Sequence, residues 1–245
     1  MFERLSLNGL IALVSGGNRG IGYEVGRLLQ KRGARVILTA RSESDIKRLE
    51  QEGFIAEYLD VADLVSIKSL QERLKKAKMM PDILVNNAGI GTMDLSVKLS
   101  AEKWSETITT NLNSAFEMTK SFISHMAKKR YGRVINISSV LSHYPQKGFA
   151  HYSASKAGIE GFMRVVALEY AAKQVTVNSI CPGFVDTDML SLLGEAQKAQ
   201  FTQSIPVGYM ASAEDVAEMV AFVASPAARY MTGECIQING GMYMR

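Results

Sequence analysis

Residues 10–29 read LIALVSGGNRGIGYEVGRLL: an apolar run, a glycine-rich turn, then an amphipathic stretch. That order predicts a buried strand passing through a tight turn into a helix. Gly16, Gly20 and Gly22 give the spacing G-x-x-x-G-x-G. Glycines let the backbone turn sharply and approach a pyrophosphate with no Cβ in the way. A helix beginning near Ile21 directs its free N–H groups and positive dipole end at phosphates. Gly16, Asn18, Arg19, Gly20, Ile21 and Gly22 are therefore candidate cofactor-binding residues. A glycine pattern alone is weak evidence; its place between strand and helix gives it meaning.

Outward from this turn the chain alternates short apolar runs with longer amphipathic ones. Residues Leu10–Ser15, Arg35–Thr39, Ile55–Leu59, Ile83–Asn86, Arg133–Ser138, Thr176–Cys181 and Cys235–Asn239 read as strands. Their Val, Ile and Leu content suits strands covered on both faces. Ile21–Lys31, Leu64–Lys76, Glu102–Lys129, Tyr152–Ala172 and Ala213–Ala224 read as helices. Such alternation predicts a Rossmann-type α/β fold, a doubly wound parallel sheet of about seven strands with helices on both faces. With 245 residues and no linker or low-complexity tract, one dinucleotide-binding and catalytic domain over 1–245 is expected.

Composition narrows the function classes. Hydrophobic residues make up 47% and the net charge is +4, with no long basic run, so a nucleic-acid binder is not indicated. No apolar run is long enough to span a membrane, and MFERLSLNG lacks the apolar core of a secretory signal, which predicts a cytoplasmic protein. Cys181 and Cys235 lie far apart without metal-like spacing, and the three histidines are scattered. Free, buried structural cysteines and no metal site are expected.

The second strand continues into RVILTARSES, residues 35–44, with Arg41 where an acidic residue would otherwise bind the ribose diol of NAD. Arg41 together with Arg19 suits a 2′-phosphate, which points to NADPH/NADP+; Glu43 reads as solvated surface. Further along, Tyr152-Ser-Ala-Ser-Lys156 places a phenol and an ammonium one helical turn apart. The lysine cation, with an oxidised nicotinamide nearby, would lower the phenol's pKa, fitting Tyr152 for acid–base work on a carbonyl. VINISS ends in Ser138 and Ser139 at the strand end where this architecture binds ligands; either hydroxyl can reach a substrate oxygen. Asn111 interrupts the helical stretch TTNLNSAF. It could bind a backbone carbonyl or water and relay protons to Lys156.

Taken in order, SGGNRGIG, LDV at Leu59–Val61, NNAG at Asn86–Gly89, Asn111, Ser139, Tyr152 with Lys156, and CPGFVDTDM at Cys181–Met189 resemble the short-chain dehydrogenase/reductase family over essentially the whole chain. The resemblance implies catalytic roles for Asn111, Ser139, Tyr152 and Lys156, selecting Ser139 over Ser138. It implies adenine contacts from Asp60 and Val61, Asn87 lining the cofactor groove, and Val185 and Thr187 beside the nicotinamide. Ser15 stands where threonine is commoner in the family.

Within the family the chain is most similar to bacterial 3-oxoacyl-[acyl-carrier-protein] reductases, through its length, KKRYGRVINISS and MTGECIQINGGMYM. That likeness implies NADPH-dependent reduction of a 3-oxoacyl thioester, carried on acyl-carrier protein or CoA, as in fatty acid biosynthesis. It also implies docking of an acidic carrier protein near Arg130 and Lys173, and a homotetramer with the C-terminal tail near an interface. Two loops depart from it: VLSHYPQKGFAH, residues 140–151, and Gly91–Met93. They keep open an NADP-dependent ketoreductase or alcohol dehydrogenase acting on another small or cyclic ketone. A non-catalytic nucleotide-binding sensor is the reading from a different class.

Overall fold

The computed structural model describes residues 2–187 and 194–244. Seven strands form one sheet: β1 (Ile11–Val14), β2 (Arg35–Ala40), β3 (Ile55–Tyr58), β4 (Ile83–Asn86), β5 (Gly132–Ile137), β6 (Val175–Pro182) and β7 (Cys235–Ile238). Their order is β3-β2-β1-β4-β5-β6-β7, and every neighbouring pair is parallel. The order of connection reverses between β1 and β4, so the loops leaving those strands diverge and open a crevice at the carboxyl edge.

Alternate residues of each strand face opposite layers. Ala12 and Val14 pack with Val25 and Leu29 of α1 (Gly20–Lys31) and with Val216 and Val220 of α8 (Ala213–Ala224). Leu13 packs on the other side with Ile67 and Leu70 of α3 (Leu64–Lys76), Phe122 and Met126 of α5 (Ser114–Lys129), and Met163 of α6 (Ala150–Tyr170). Phe122 is fully buried, and such burial contributes about 1.5–3 kcal/mol. A smaller apolar cluster of Val140, Leu141, Phe184, Phe201, Ile205 and Met242 lies apart from both layers.

The expected strands all form, with ends moved by a residue or two. Among the described residues two α-helices were not expected: α2 (Glu43–Gln51) and α7 (Glu195–Gln203). In α2 Leu49 is the buried residue, so no apolar stripe marks it; its signal is the Ser42 cap, whose hydroxyl accepts from the Asp45 N–H at 3.1 Å. Glu43 opens that helix and pairs with Lys47 at the surface. The stretch expected as one helix over Glu102–Lys129 is α4 (Ala101–Thr107), a wider π turn at Ile108–Asn113, and α5. Residues Asp188 and Met189 of the CPGFVDTDM motif, and Arg245 of the tail, lie outside the described residues. No helix of the described residues is long and apolar enough to cross a membrane.

Candidate active site

A cleft of about 650 Å³ runs along the carboxyl edge of the sheet, and the sequence-predicted cofactor and catalytic residues line it, except Gly22 and Asn111, which are buried behind its surface. At one end lie Gly16, Asn18, Arg19, Gly20, Ile21, Arg41, Asp60 and Val61, with Thr187 against Gly20; at the other lie Ser139, Tyr152 and Lys156, and Val185 also lines the cleft. Asn87 stands between them.

The glycine turn is held by hydrogen bonds to the neighbouring strand end. The Ser15 hydroxyl accepts from the backbone N–H of Asn87 at 3.0 Å and of Ala88 at 3.1 Å. Asn87 Nδ2 donates to the carbonyls of Ser15 and Gly16, each at 3.0 Å. Gly16 has φ +64°, and a Cβ on Gly22 would lie 2.3 Å from the Gly16 carbonyl oxygen, so neither position accepts a side chain. From beneath, Asn18 donates to Asp45 at 3.1 Å, and Arg48 donates to the Asn18 carbonyl at 2.5 Å. Sequence reasoning missed this brace because it missed α2.

The start of α1 fits a pyrophosphate. Its N-cap, Arg19, is extended and its side chain makes no cap hydrogen bond. The helices α2, α3 and α8, by contrast, are capped by Ser42, Asp63 and Ser212. The first-turn N–H groups of α1 therefore face the cleft without a side-chain acceptor at the cap, as an anion requires. Arg19 and Arg41 both line that end, with Thr39, Ser42 and Asp45.

At the other end, α6 presents Tyr152, Lys156 and Glu160 at successive i+4 positions. Lys156 Nζ donates to the Ile137 carbonyl at 2.7 Å and lies 5.5 Å from the centroid of the Tyr152 ring. Burial lowers the Lys156 pKa to about 8. Tyr152 opens onto the cleft, but the protein around it desolvates the hydroxyl and pushes its pKa up; a hydrogen bond with Ser139 works the other way. Lys156 is directed at a carbonyl, and in the protein alone desolvation is the larger influence on the phenol; the lowering expected from Lys156 together with an oxidised nicotinamide belongs to the loaded site.

The structure separates the two serines. Ser138 Oγ donates to Glu160 at 2.6 Å, pointing behind the cleft. Ser139 hydrogen-bonds Tyr152 and accepts from the Leu141 N–H at 3.1 Å. Asn111 projects from the π turn and is buried. It donates to the Ile90 carbonyl at 2.9 Å and to Ser155 Oγ at 3.0 Å, and accepts from the Ile90 N–H at 2.8 Å. It thus binds a backbone carbonyl, as expected, and clamps the loop after NNAG against α6. The apolar wall beside Tyr152 consists of Leu141, Phe149, Phe184 and Phe201; sequence reasoning did not assemble it, because its members come from three separate segments.

Arg130 and Lys173 stand together, away from the cleft. Arg130 caps α5 in the left-handed region and donates to the Ala172 carbonyl at 3.3 Å. Both precede the amino ends of β5 and β6, whereas the cleft opens at the carboxyl ends. The cysteines remain free thiols. Their separation in sequence is nonetheless undone by the fold: ligand atoms of His143, Glu160, Cys181 and Cys235 all lie within 4.8 Å of one another.

Comparison with known proteins matches residues 16–243 to a family described as Enoyl-(Acyl carrier protein) reductase. The chain is 42% identical over 246 residues to a 3-oxoacyl-[acyl-carrier-protein] reductase, FabG, of Escherichia coli strain K12, covering 98% of this chain and 100% of that one. It is 40% identical over 249 residues to the protein of the same name from Pseudomonas aeruginosa, with the same coverage. Among solved structures it resembles a Beutenbergia cavernae protein provisionally named an NAD(P)-dependent gluconate 5-dehydrogenase, with NADP bound at low occupancy. The TM-score is 0.91 at 33% identity, covering 98% of both chains.

Proposed function

The chain belongs to the short-chain dehydrogenase/reductase family, and from that premise we propose that it reduces the ketone of a 3-oxoacyl thioester, on acyl-carrier protein or CoA, to the 3-hydroxyacyl thioester with NADPH. The observation that carries this reading is the Ser139–Tyr152 pair above Lys156, set against an apolar wall at the end of a dinucleotide-sized cleft. NADPH supplies, when bound, the hydride that reduction consumes. The Ser139 hydroxyl donates a hydrogen bond to the ketone oxygen and holds it against the Tyr152 hydroxyl. Tyr152, protonated at neutral pH, gives its proton to that oxygen as the alcohol forms. The Lys156 cation lies close enough to stabilise the phenolate left behind. Asn111 acts by positioning, fixing Ile90 and Ser155 on either side of the reacting groups.

At the adenosine end, Arg19 and Arg41 bind the 2′-phosphate that distinguishes NADPH, and Asp60 and Val61 adjoin the adenine. Gly16, Asn18, Gly20, Ile21 and Gly22 cradle the pyrophosphate; Asn87, Val185 and Thr187 line the nicotinamide side. The relatives named as 3-oxoacyl reductases favour the carrier-protein thioester. An acidic carrier protein docks on Arg130 and Lys173. Because that pair lies at the far edge of its own sheet, docking there serves the cleft of an adjoining subunit. A homotetramer supplies one, and exposed Phe116 on α5 with Val165 and Leu168 on α6 offer apolar surface for it. The protein works as a single domain in the cytoplasm.

The test is NADPH oxidation, followed by absorbance, with acetoacetyl thioesters, enoyl thioesters and simple or cyclic ketones. Turnover of the acetoacetyl thioester well above the others supports the reading. Turnover of enoyl thioesters alone would move the chemistry to carbon–carbon reduction, as the family description has it. Turnover of free ketones alone would favour the second reading, a ketoreductase or alcohol dehydrogenase, which the unusual 140–151 loop keeps in view. No turnover with tight NADPH binding would favour a sensor.

A further inference from the structure

One turn beyond Lys156 on the same face of α6 stands Glu160, a carboxylate 2% exposed. Around it the fold gathers three groups that the reduction does not use. His143 ends the short turn that Ser139 begins, Cys181 lies buried near the carboxyl end of β6, and Cys235 opens β7. We propose that His143, Glu160, Cys181 and Cys235 form a binding site for a divalent transition-metal ion, with zinc the best chemical match.

The donor atoms converge. All four lie within 4.8 Å of one another, and a tetrahedral zinc ion with bonds of 2.0–2.3 Å separates its ligands by about 3.3–3.8 Å. Side-chain torsions can close that difference. The carboxylate is already held in place: Glu160 Oε1 accepts from Ser138 at 2.6 Å, Ser142 at 2.5 Å and Cys181 at 3.4 Å. Its other oxygen faces His143 Nε2 at 2.8 Å. That nitrogen is buried yet makes no directed hydrogen bond, to Glu160 or to any other group. A buried nitrogen aimed at a carboxylate and two thiols without a proper partner costs stability in a purely hydrogen-bonded cluster; coordination would satisfy it. The imidazole is stacked on Tyr243, centroids 5.0 Å apart, which fixes its plane.

The donor set selects the ion. Two sulfurs and an imidazole suit zinc and disfavour magnesium and calcium, which take oxygen ligands. On binding, both thiols lose their protons to solvent, so two thiolates and one carboxylate face two positive charges. The Arg164 guanidinium, 3.4 Å from Cys235 Sγ, balances the excess. Serine hydroxyls on the carboxylate play the outer-shell role usual around metal ligands. The ion would tie the turn after Ser139 to α6, β6 and β7, bracing the proton-donating end of the cleft from behind.

The test uses the full chain, reduced, stripped with a chelator and titrated with Co2+ and then Zn2+. One Co2+ per chain should bind, with thiolate-to-cobalt charge-transfer absorption and tetrahedral visible bands. Zn2+ should displace it and raise Tm. Cys235→Ser, at a half-buried position that tolerates the change, and His143→Gln should each weaken zinc binding by at least about 100-fold. Near-UV circular dichroism checks that each variant is folded. Absence of a thiolate charge-transfer band in folded wild-type protein overturns the site. So does zinc affinity left unchanged by Cys235→Ser and by His143→Gln, or a Cys181–Cys235 disulfide that persists under reductant.

Discussion

At the dinucleotide end of the cleft, the Ser15 hydroxyl and the Asn87 carboxamide hydrogen-bond to backbone. The ligand surface there is itself largely backbone: a glycine turn and the start of a helix. At the substrate end the surface is side chain, with a phenol, a hydroxyl and an ammonium set against Leu141, Phe149, Phe184 and Phe201. The first end can bind the same cofactor with many sequences, provided glycines keep the approach open. The second changes character with every residue of the 140–151 loop. Specificity for the nucleotide and specificity for the ketone are therefore separable, and mutations should sort by end.

The sharpest division comes from Tyr152→Phe. It removes the proton donor and nothing at the nucleotide end. Turnover should fall by about 10²–10⁴-fold while NADPH binding, followed by its fluorescence, stays close to wild type. Activity near wild type would break the assignment of roles to the two ends. Next in size is Arg41→Asp, which replaces a cation with a charge that repels a 2′-phosphate and suits a ribose diol. The preference for NADPH over NADH should shift by roughly 10- to 100-fold, the loss of a charge-assisted hydrogen bond, with KM for the thioester unmoved. An unchanged preference would remove Arg41 from the selector.

Ser15→Ala tests the weld between β1 and β4. It leaves the N–H groups of Asn87 and Ala88 without their acceptor, a cost of about 1–3 kcal/mol, read as a lower midpoint in urea. KM for NADPH should rise more than KM for the ketone; equal rises would mean the two ends are mechanically one. The smallest expected effect is a pH dependence at Lys156. Its folded pKa is about 8, below the ordinary 10.5, so between those values the unfolded chain holds more protons and stability rises with pH. Lys156→Met, which removes the buried cation, should abolish turnover yet stabilise the protein by about 1 kcal/mol at pH 7. That advantage should shrink as pH climbs from about 8 towards 10.5. A constant difference between wild type and variant across that range would show that the lysine is not desolvated as described.

The cleft's nucleotide end was legible because its signals are local. Gly16, Gly20 and Gly22 sit within one turn, and Arg41 follows the next strand. The Tyr152–Lys156 pair was legible for the same reason, one helical turn being a fixed distance. What escaped was α2, whose face carries Leu49 alone as buried apolar residue, and with it the Asp45 and Arg48 brace on Asn18. The widening at Ile108–Asn113 also escaped. An asparagine in a helix announces an irregularity, but not that its side chain will clamp Ile90 to Ser155. The sequence reading gave Asn111 a backbone carbonyl or water as its partner; the carbonyl is that of Ile90, and the Ser155 hydroxyl was not foreseen.

By itself, the sequence determined the doubly wound parallel sheet, the glycine turn and the family, and it nominated the proton-handling residues. The sheet and the turn follow from periodicity and from spacing along a single element, where covalent geometry fixes what faces what; the family, and with it the choice of Ser139, follows from resemblance in an ordered set of motifs along the chain. The tertiary structure decided everything that depends on which distant segments meet. It turned Ser138 towards Glu160 and left Ser139 to the cleft. It raised the Tyr152 phenol in the protein alone, because desolvation is a property of all the surrounding chain. It also brought His143, Glu160, Cys181 and Cys235 together from four separate elements, since adjacency across β6, β7 and α6 is set by sheet order and helix packing, which no spacing along the chain encodes.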